Sequence, residues 1–257
     1  MLLDLESLVK KFHISPSGVI HIGAHTGEEV KLYQELFSEK ISMHLFEPQE
    51  KYFNLLKEKY SSSKNIKLYN FACGAKTSIE EMFISSNSGA SSSILQPLQH
   101  LEIHPEIKFN KKETINLDLL DNFKIYDSDF LNIDVQGYEL NVLRGGSETI
   151  LRAKYIYVEV NKKEVYKDAG LINEIDSFLK KFNFLRVSTQ YAFDVLPWGD
   201  ALYINKNYLK FSQIFKSYLK IYIYSFENLY QIYIYLRKIF WKLILIKKNF
   251  SKKKDRL

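Results

Sequence analysis

The sequence offers a single cysteine, Cys73. That excludes an internal disulfide, fits a reducing compartment and leaves Cys73 most simply a buried core residue. Long apolar runs are also missing. In the aromatic C-terminal segment the longest charge-free stretch is Asn228–Leu236, far short of the about 20 residues needed to cross a bilayer. Residues Met1–Glu6 carry two acids where a secretion signal needs basic residues and then an apolar run, so a cytoplasmic location is expected. His100 and His104 stand four apart, but no third ligand is indicated. They are expected on an exposed loop helix, with no metal bound. A hydrophobic content of 46% against 26% charged residues excludes a disordered chain and supports one good-sized core.

Charge is distributed unevenly. From Lys206 to Leu257 there are 13 Lys and Arg against 2 Asp and Glu, leaving 23 against 28 for residues 1–205. The net +6 therefore combines a mildly acidic domain, expected over 1–206, with a basic tail over 207–257.

The most informative stretch is Gly18-Val19-Ile20-His21-Ile22-Gly23-Ala24-His25-Thr26-Gly27-Glu28. Its β-formers bounded by glycine predict a short buried strand. Gly23 and Gly27 permit a sharp turn and close backbone approach to a ligand. Thr26 followed by Glu29 forms a capping-box pattern, which predicts a helix beginning near Gly27. Such a helix directs unpaired N–H groups and a positive dipole end at whatever lies above the strand. A nucleotide-type cofactor site follows from this arrangement.

The remainder of the domain alternates in the same way. A strand is expected over Ile41–Phe46, stopping at Glu47-Pro48. A helix then buries Phe53, Leu56 and Tyr60, and a third strand runs Ile66–Cys73. This β-α-β-α-β run within about 60 residues is the unit of a doubly wound parallel sheet. Strands are also expected at Ile79–Ile84, Lys108–Leu117, Phe130–Asp134, Tyr155–Val160, Phe184–Val187 and Ala201–Ile204. Helices are expected near Tyr138 and along Ile172, Ile175, Leu179 and Phe182. Ser85–Ser93, rich in Ser, Asn and Gly, reads as a mobile loop that can close over a second substrate.

Several residues in this framework can carry chemistry. A dinucleotide fingerprint is Gly-x-Gly-x-x-Gly, whereas here Gly23-x-x-x-Gly27 encloses His25. The missing glycine disfavours a pyrophosphate and leaves room for an amino-acid carboxylate. Glu47, at the end of the second strand, is placed to accept both hydroxyls of a ribose. His25, between the glycines, is expected to face the ligand. Ala72 lies near the end of the third strand, at the same edge. Asp134 ends the strand beside the first turn, and Glu159 sits in a Val-Glu-Val strand, where a carboxyl is costly unless paired or open to a cleft. Asp134, Glu159 or His25 can serve as general base. Ser92, Ser93, Gln136, Glu139, Trp198 and Asp200 are candidate contacts to a second substrate, with Trp198 and Asp200 expected in a turn before the last strand.

Taken together, Val19–Glu29, Phe46-Glu47-Pro48, Ile133–Glu139, Val158–Asn161 and Trp198–Leu202 resemble the FkbM family of S-adenosylmethionine-dependent methyltransferases. The similarity runs over roughly residues 15–206 in the right order. It implies a class I methyltransferase fold, a Rossmann-like seven-stranded sheet with helices on both faces. It also implies S-adenosylmethionine as cofactor, gripped around His21, Gly23, His25, Thr26, Gly27, Glu47, Pro48, Ala72 and Asp134. Methylation of a hydroxyl oxygen is implied, often on sugars or polyketide products. The chain departs from the commoner pattern at three places. His21 stands where many members have an acid for the cofactor's ammonium group, His25 where they have asparagine, and Gln136 where glutamate is frequent. Asp134 or backbone carbonyls are the alternatives for the ammonium group. A sugar hydroxyl in a glycan or glycan precursor is the acceptor class taken forward. A nicotinamide-dependent oxidoreductase and a non-catalytic cofactor-binding module are the alternatives. A nucleobase methyltransferase is disfavoured, since Asp134-Val135-Gln136-Gly137 replaces the Asn/Asp-Pro-Pro-aromatic run.

In the tail, apolar residues recur with helical spacing from Ile214 to Leu243, among lysines and tyrosines. An amphipathic helix of this kind suits the inner face of a membrane, or a homo-oligomer contact. Nucleic acid is the least favoured partner, although a basic stripe also suits phosphates.

Overall fold

The computed structural model describes residues 1–194, 196–214 and 216–218. A compact unit spans Met1–Leu209, and a second comprises Lys210–Leu257. In the second unit, residues 211–214 and 216–218 are helical. Lys206–Tyr208 is a single 3-10 turn. The remainder of the tail, with its membrane and oligomer readings, lies outside the described residues. No helix among the described residues is long and apolar enough to cross a membrane.

The compact unit opens with α1 (Leu5–Phe12), capped by the Asp4 side chain. Then come β1 (Gly18–Ile22), α2 (Glu29–Leu36), β2 (Ser42–Phe46), α3 (Glu50–Tyr60) and β3 (Ile66–Tyr69). An insert follows, with β4 (Ala72–Cys73), β5 (Ser78–Ile84), α4 (His100–Ile103) and β6 (Lys111–Asp118). The chain closes with β7 (Phe130–Ile133), α5 (Glu139–Gly145), α6 (Ser147–Arg152), β8 (Tyr155–Asn161), α7 (Ile172–Lys180), β9 (Phe184–Tyr191) and β10 (Trp198–Asn205).

Seven strands form one sheet in the order β3-β2-β1-β7-β8-β10-β9. The first five are parallel, and β10 runs antiparallel to both neighbours. Counted within this sheet alone, the order is 3-2-1-4-5-7-6, the class I methyltransferase arrangement. The central strands β1 and β8 are buried along their whole length, because helices cover both faces and leave no solvated side. Alternate residues feed two cores. Ile20, Ile22, Ile156, Val158 and Val160 enter one; Val19, Tyr155 and Tyr157 enter the other. The order reverses between β1 and β7, and ligands of such sheets bind beyond the carboxyl ends of strands at that point.

Four expectations need correction. The strand expected over Ile66–Cys73 is broken: Asn70 donates to the carbonyls of Glu47 and Pro48 at 2.9 and 3.0 Å, and Ala72–Cys73 passes into a second sheet of order β4-β6-β5. Helix α2 begins at Glu29, two residues after Gly27, and the capping box does not form: its N-cap is Glu28, which makes no side-chain cap bond. The Thr26 hydroxyl instead donates to Glu28 at 3.1 Å. Strands β9 and β10 are longer than expected, so Trp198 and Asp200 lie inside a strand, not in a turn before it. Finally, α3 buries Tyr52 with Leu56, and Phe53 is only partly covered.

A buried polar pair fastens β7 to α2. The Asn132 amide donates to the Tyr33 hydroxyl at 2.7 Å, with both residues buried. Tyr33→Phe removes that acceptor and is expected to cost about 1–3 kcal/mol, measured as a lower urea midpoint with an unchanged slope.

Candidate active site

The turn after β1 is held by its neighbour strand. The Phe46 carbonyl accepts from the N–H groups of Gly23 and Ala24 at 3.0 and 2.9 Å. Gly23 has φ +89°, and a Cβ there would lie 1.9 Å from the Asp134 carbonyl oxygen. Only glycine lets the β1 and β7 turns approach this closely. His25 is also left-handed, with φ +46°, which points its N–H at Glu47 Oε2, 2.8 Å away. The Gln49 N–H donates to Glu47 Oε1, also at 2.8 Å. Glu47 is 2% exposed. Burial pushes its carboxyl up to about 7, against those two backbone bonds, which favour the charged form.

Gly23, His25, Glu47, Pro48 and Ala72 all line one pocket of about 60 Å³, with Gln49, Cys73 and Tyr138 among its other walls. The remaining predicted cofactor residues lie elsewhere. His21 is buried in β1, edge-on to Tyr33 at a ring separation of 5.9 Å, and burial pushes its pKa down. Thr26 and Gly27 turn toward α3: Lys59 donates to the Thr26 carbonyl and Tyr60 to that of Gly27. Added atoms at Gly27 would meet Leu56 and Tyr60.

The serine segment 85–93 is not the free loop expected from its composition. Ser85, Ser92 and Ser93 are buried. The Ser88 carbonyl meets the His25 ring nitrogen at 2.9 Å and accepts from the Tyr52 hydroxyl. Gln49 Nε2 donates to the Gly89 carbonyl at 3.3 Å. Gly89 has φ +77°, and a Cβ there would lie 2.5 Å from Gln49 Oε1. The segment is a strap across the mouth of the pocket.

On the far side of the strap lies a cleft of about 350 Å³. Asp134, Gln136, Glu159, Trp198 and Asp200 line it, with Ser91, His100, His104 and Tyr166. Gln136 connects these groups. Its amide donates to Asp134 Oδ1 at 2.8 Å and to Glu159 Oε2 at 2.6 Å, and its Oε1 lies 3.1 Å from the Tyr166 hydroxyl. Asp134 is exposed while Glu159 is buried. Burial, then the nearby Asp134 and Glu139 carboxyls, push Glu159 well above the usual carboxylate range. Asp200 is raised by burial too, although the Leu2 N–H and the Tyr157 hydroxyl both donate to it.

Three predicted second-substrate residues are absent from the cleft wall. Glu139 is fully buried beneath the β7 turn, where its Oε1 accepts from the N–H groups of Val135 and Gly137 at 3.1 and 3.0 Å. It braces the turn. Ser93 is fully buried and donates to the Gln136 carbonyl at 2.7 Å. Ser92 lines the smaller pocket, and so does His25, which is therefore separated from Asp134 and Glu159 by the strap. His100 is buried rather than exposed, packed against Tyr166 and Phe109 at 5.5 and 5.2 Å between rings. No group of three or more metal-binding side chains occurs among the described residues.

Residues 21–186 match the sequence profile described as the Methyltransferase FkbM domain. The chain belongs to the FkbM methyltransferase family. It is 24% identical over 177 residues to 2-O-methyltransferase NoeI of Sinorhizobium fredii, covering 65% of this chain and 72% of that one. Among solved structures it is similar to methyltransferase FkbM from Methylobacillus flagellatus, with TM-score 0.48 and 14% identity over 73% of this chain. That match spans only 43% of the Methylobacillus chain. A second similar structure is the magnesium protoporphyrin IX methyltransferase of Synechocystis with bound SAM, with TM-score 0.43 and 10% identity over 78% of this chain and 77% of that one.

This FkbM-family protein is an S-adenosylmethionine-dependent methyltransferase, and the residues lining its smaller pocket fit the ribose of that cofactor. Glu47 spends one lone pair of each oxygen on the turn amides, and a carboxylate has about four such sites. Two acceptor sites remain for a ribose diol. Protonation near pH 7 removes an acceptor, so affinity for S-adenosylhomocysteine is expected to fall as pH drops from 8 to 6. In Glu47→Gln it should be weaker by tenfold or more at pH 8 and lose that dependence, as read by calorimetry. The raised folded-state pKa also means that ionising Glu47 costs stability as pH rises toward 7. Glu47→Gln should therefore raise the thermal midpoint of the ligand-free protein at pH 8, and the gain should vanish below about pH 4.5.

Proposed function

We propose that the protein transfers a methyl group to a hydroxyl oxygen of a sugar in a glycan or glycan precursor. The observation that carries this reading is the placement of two cavities around one β7 turn, with Val135 lining the smaller and Asp134 the larger. Ala90 lines both, and the Asp134 backbone touches the cofactor turn while Asp134 also lines the cleft. A hydroxyl in the cleft therefore sits beside an exposed carboxylate and next to the methyl donor's pocket. The relative named a 2-O-methyltransferase supports oxygen as the acceptor atom.

Bound S-adenosylmethionine supplies an activated methyl group on a sulfonium. The chain's own work is to align the acceptor and take up one proton, and alignment alone can lower the barrier substantially. Asp134 is the base: it is exposed, faces the cleft and is oriented by Gln136. Glu159, buried and pushed toward its neutral form, remains a hydrogen-bonding acid. An exposed and a buried carboxyl thus take different roles, as is common where acid and base chemistry share a site. Trp198 offers an aromatic wall for the apolar face of a sugar ring.

Incubation with methyl-labelled S-adenosylmethionine and a panel of glycans is expected to label a hydroxyl oxygen, located by mass spectrometry. Asp134→Asn should lower kcat by about 10²–10⁴-fold while leaving S-adenosylhomocysteine affinity within about threefold. Transfer to nitrogen or carbon alone, or an undiminished Asp134→Asn rate, would overturn the assignment.

A further inference from the structure

His100 is a buried titratable group that the reaction above leaves unused. It is 5% exposed and lines the larger cleft together with His104, Asp134, Glu159 and Asp200. Its ring is boxed by Tyr166, Phe109 and His104, with 5.5, 5.2 and 5.3 Å between ring centres. The main chain is held as well. The Val165 carbonyl accepts from the N–H groups of Leu98 and His100, both at 3.0 Å. Helix α4 is therefore pinned to the connection that follows β8, and the imidazole is built into the cleft wall.

Inside this box Nδ1 is buried and meets no hydrogen-bond partner among the described residues. Burial, then the neighbouring His104, push the ring toward its neutral form. A neutral imidazole carries one N–H and one bare nitrogen. A buried N–H left without an acceptor is the costlier of the two orphans, so the proton belongs on Nε2 and the bare nitrogen is Nδ1. The ring then has one uncharged donor to offer the cleft. The carboxyls of the same wall bond to Gln136, Leu2 and Tyr157 rather than to this ring. His104 is engaged elsewhere, its Nδ1 lying 3.3 Å from Glu106 Oε1.

We infer that His100 is a second acceptor-binding residue: its Nε2 donates a hydrogen bond to a sugar hydroxyl oxygen other than the one that reacts beside Asp134. This rests on the sugar-acceptor reading above and narrows it, because the acceptor unit must then present two hydroxyls to one cleft. An alcohol with a single hydroxyl satisfies Asp134 or His100, not both. A site built to hydrogen-bond a hydroxyl discriminates against the analogue that lacks it, so His100 reads one hydroxyl position of the sugar.

The test is an NMR titration of the full chain with S-adenosylhomocysteine present. The probes are the methyl α-glycosides of glucose, galactose, mannose and fucose, then the monodeoxy forms of whichever binds tightest. His100→Phe keeps a ring in the box and removes the donor. It is expected to weaken the parent glycoside about five- to tenfold, the worth of one hydrogen bond. Preserved S-adenosylhomocysteine affinity reports an intact fold. The unsubstituted chain should penalise the deoxy form that lacks the hydroxyl read by His100, whereas His100→Phe should bind that form and the parent alike. In nitrogen-15 histidine spectra of the unsubstituted chain, the parent glycoside should shift His100 Nε2 and leave Nδ1 in place. A His100→Phe chain that binds the parent as tightly as the unsubstituted one overturns the inference. So does one that keeps every deoxy penalty, or an Nε2 signal unmoved at saturating glycoside. If no glycoside binds while S-adenosylhomocysteine does, the sugar reading fails and takes this inference with it, and the cofactor assignment stands.

Discussion

A backbone contact sets the dimensions of this site. The turn leaving β1 lies against the Asp134 carbonyl so closely that Gly23 admits no side chain. Phe46 holds the same turn from the other side with two hydrogen bonds. Adjacent strands of the sheet are therefore joined at their carboxyl ends as well as along their lengths. The cofactor turn, Glu47 at the end of β2 and the acid at the end of β7 become one rigid unit. A carboxylate on a mobile loop would need ordering before it could act; here the sheet has already ordered Asp134.

That rigidity is maintained at an electrostatic cost. Four carboxyls, Glu47, Glu139, Glu159 and Asp200, are buried near the strand ends, and burying a charge is expensive unless it is hydrogen-bonded. Each meets the cost differently. Glu47 is solvated by two turn amides, so burial raises it only to about 7. Glu139 receives two amides but leaves its second oxygen without a partner. Glu159 has the Gln136 amide and three acidic neighbours, so neutrality is its cheaper state. Asp200 is supplied by Tyr157 and the Leu2 N–H. The same residue type thus yields a carboxyl held by turn amides at one strand end and one pushed toward its neutral form at another.

The sheet was legible because its strands are short, apolar and separated by amphipathic helices, a pattern that local sequence expresses directly. Gly23, His25, Glu47, Pro48 and Ala72 were legible because they sit within three residues of a strand end, where position along the chain determines position in space. Other residues were obscured by alternation. His21 belongs to a strand whose neighbours face opposite cores, and nothing local says that its side packs on Tyr33. Gln49 and Tyr52 looked like ordinary first-turn helix residues; their role appears only when the strap arrives from nearly 40 residues away. Tyr166 lies in an aperiodic connection and has no sequence signal at all. The serine segment misled most, since its composition suits a solvated loop. Composition reports what a segment can bond to, and here the partners are protein atoms instead of water.

The strap is bonded to the walls of both cavities. Its Ser88 and Gly89 carbonyls are held by His25, Tyr52 and Gln49 on the cofactor side. Two residues later, the Ser91 carbonyl accepts from Tyr166 at 2.9 Å and Ser93 bonds the Gln136 backbone on the acceptor side. Gln136 in turn orients both Asp134 and Glu159. A displacement of the strap by one ligand must therefore either break bonds on the opposite side or carry Gln136 with it. The hydrogen-bond path from His25 to Asp134 runs through neighbouring residues without a gap larger than a few residues of backbone. That path joins the turn after β1 to the Asp134 side chain, and the insert that supplies the strap is what distinguishes this site from a bare doubly wound sheet.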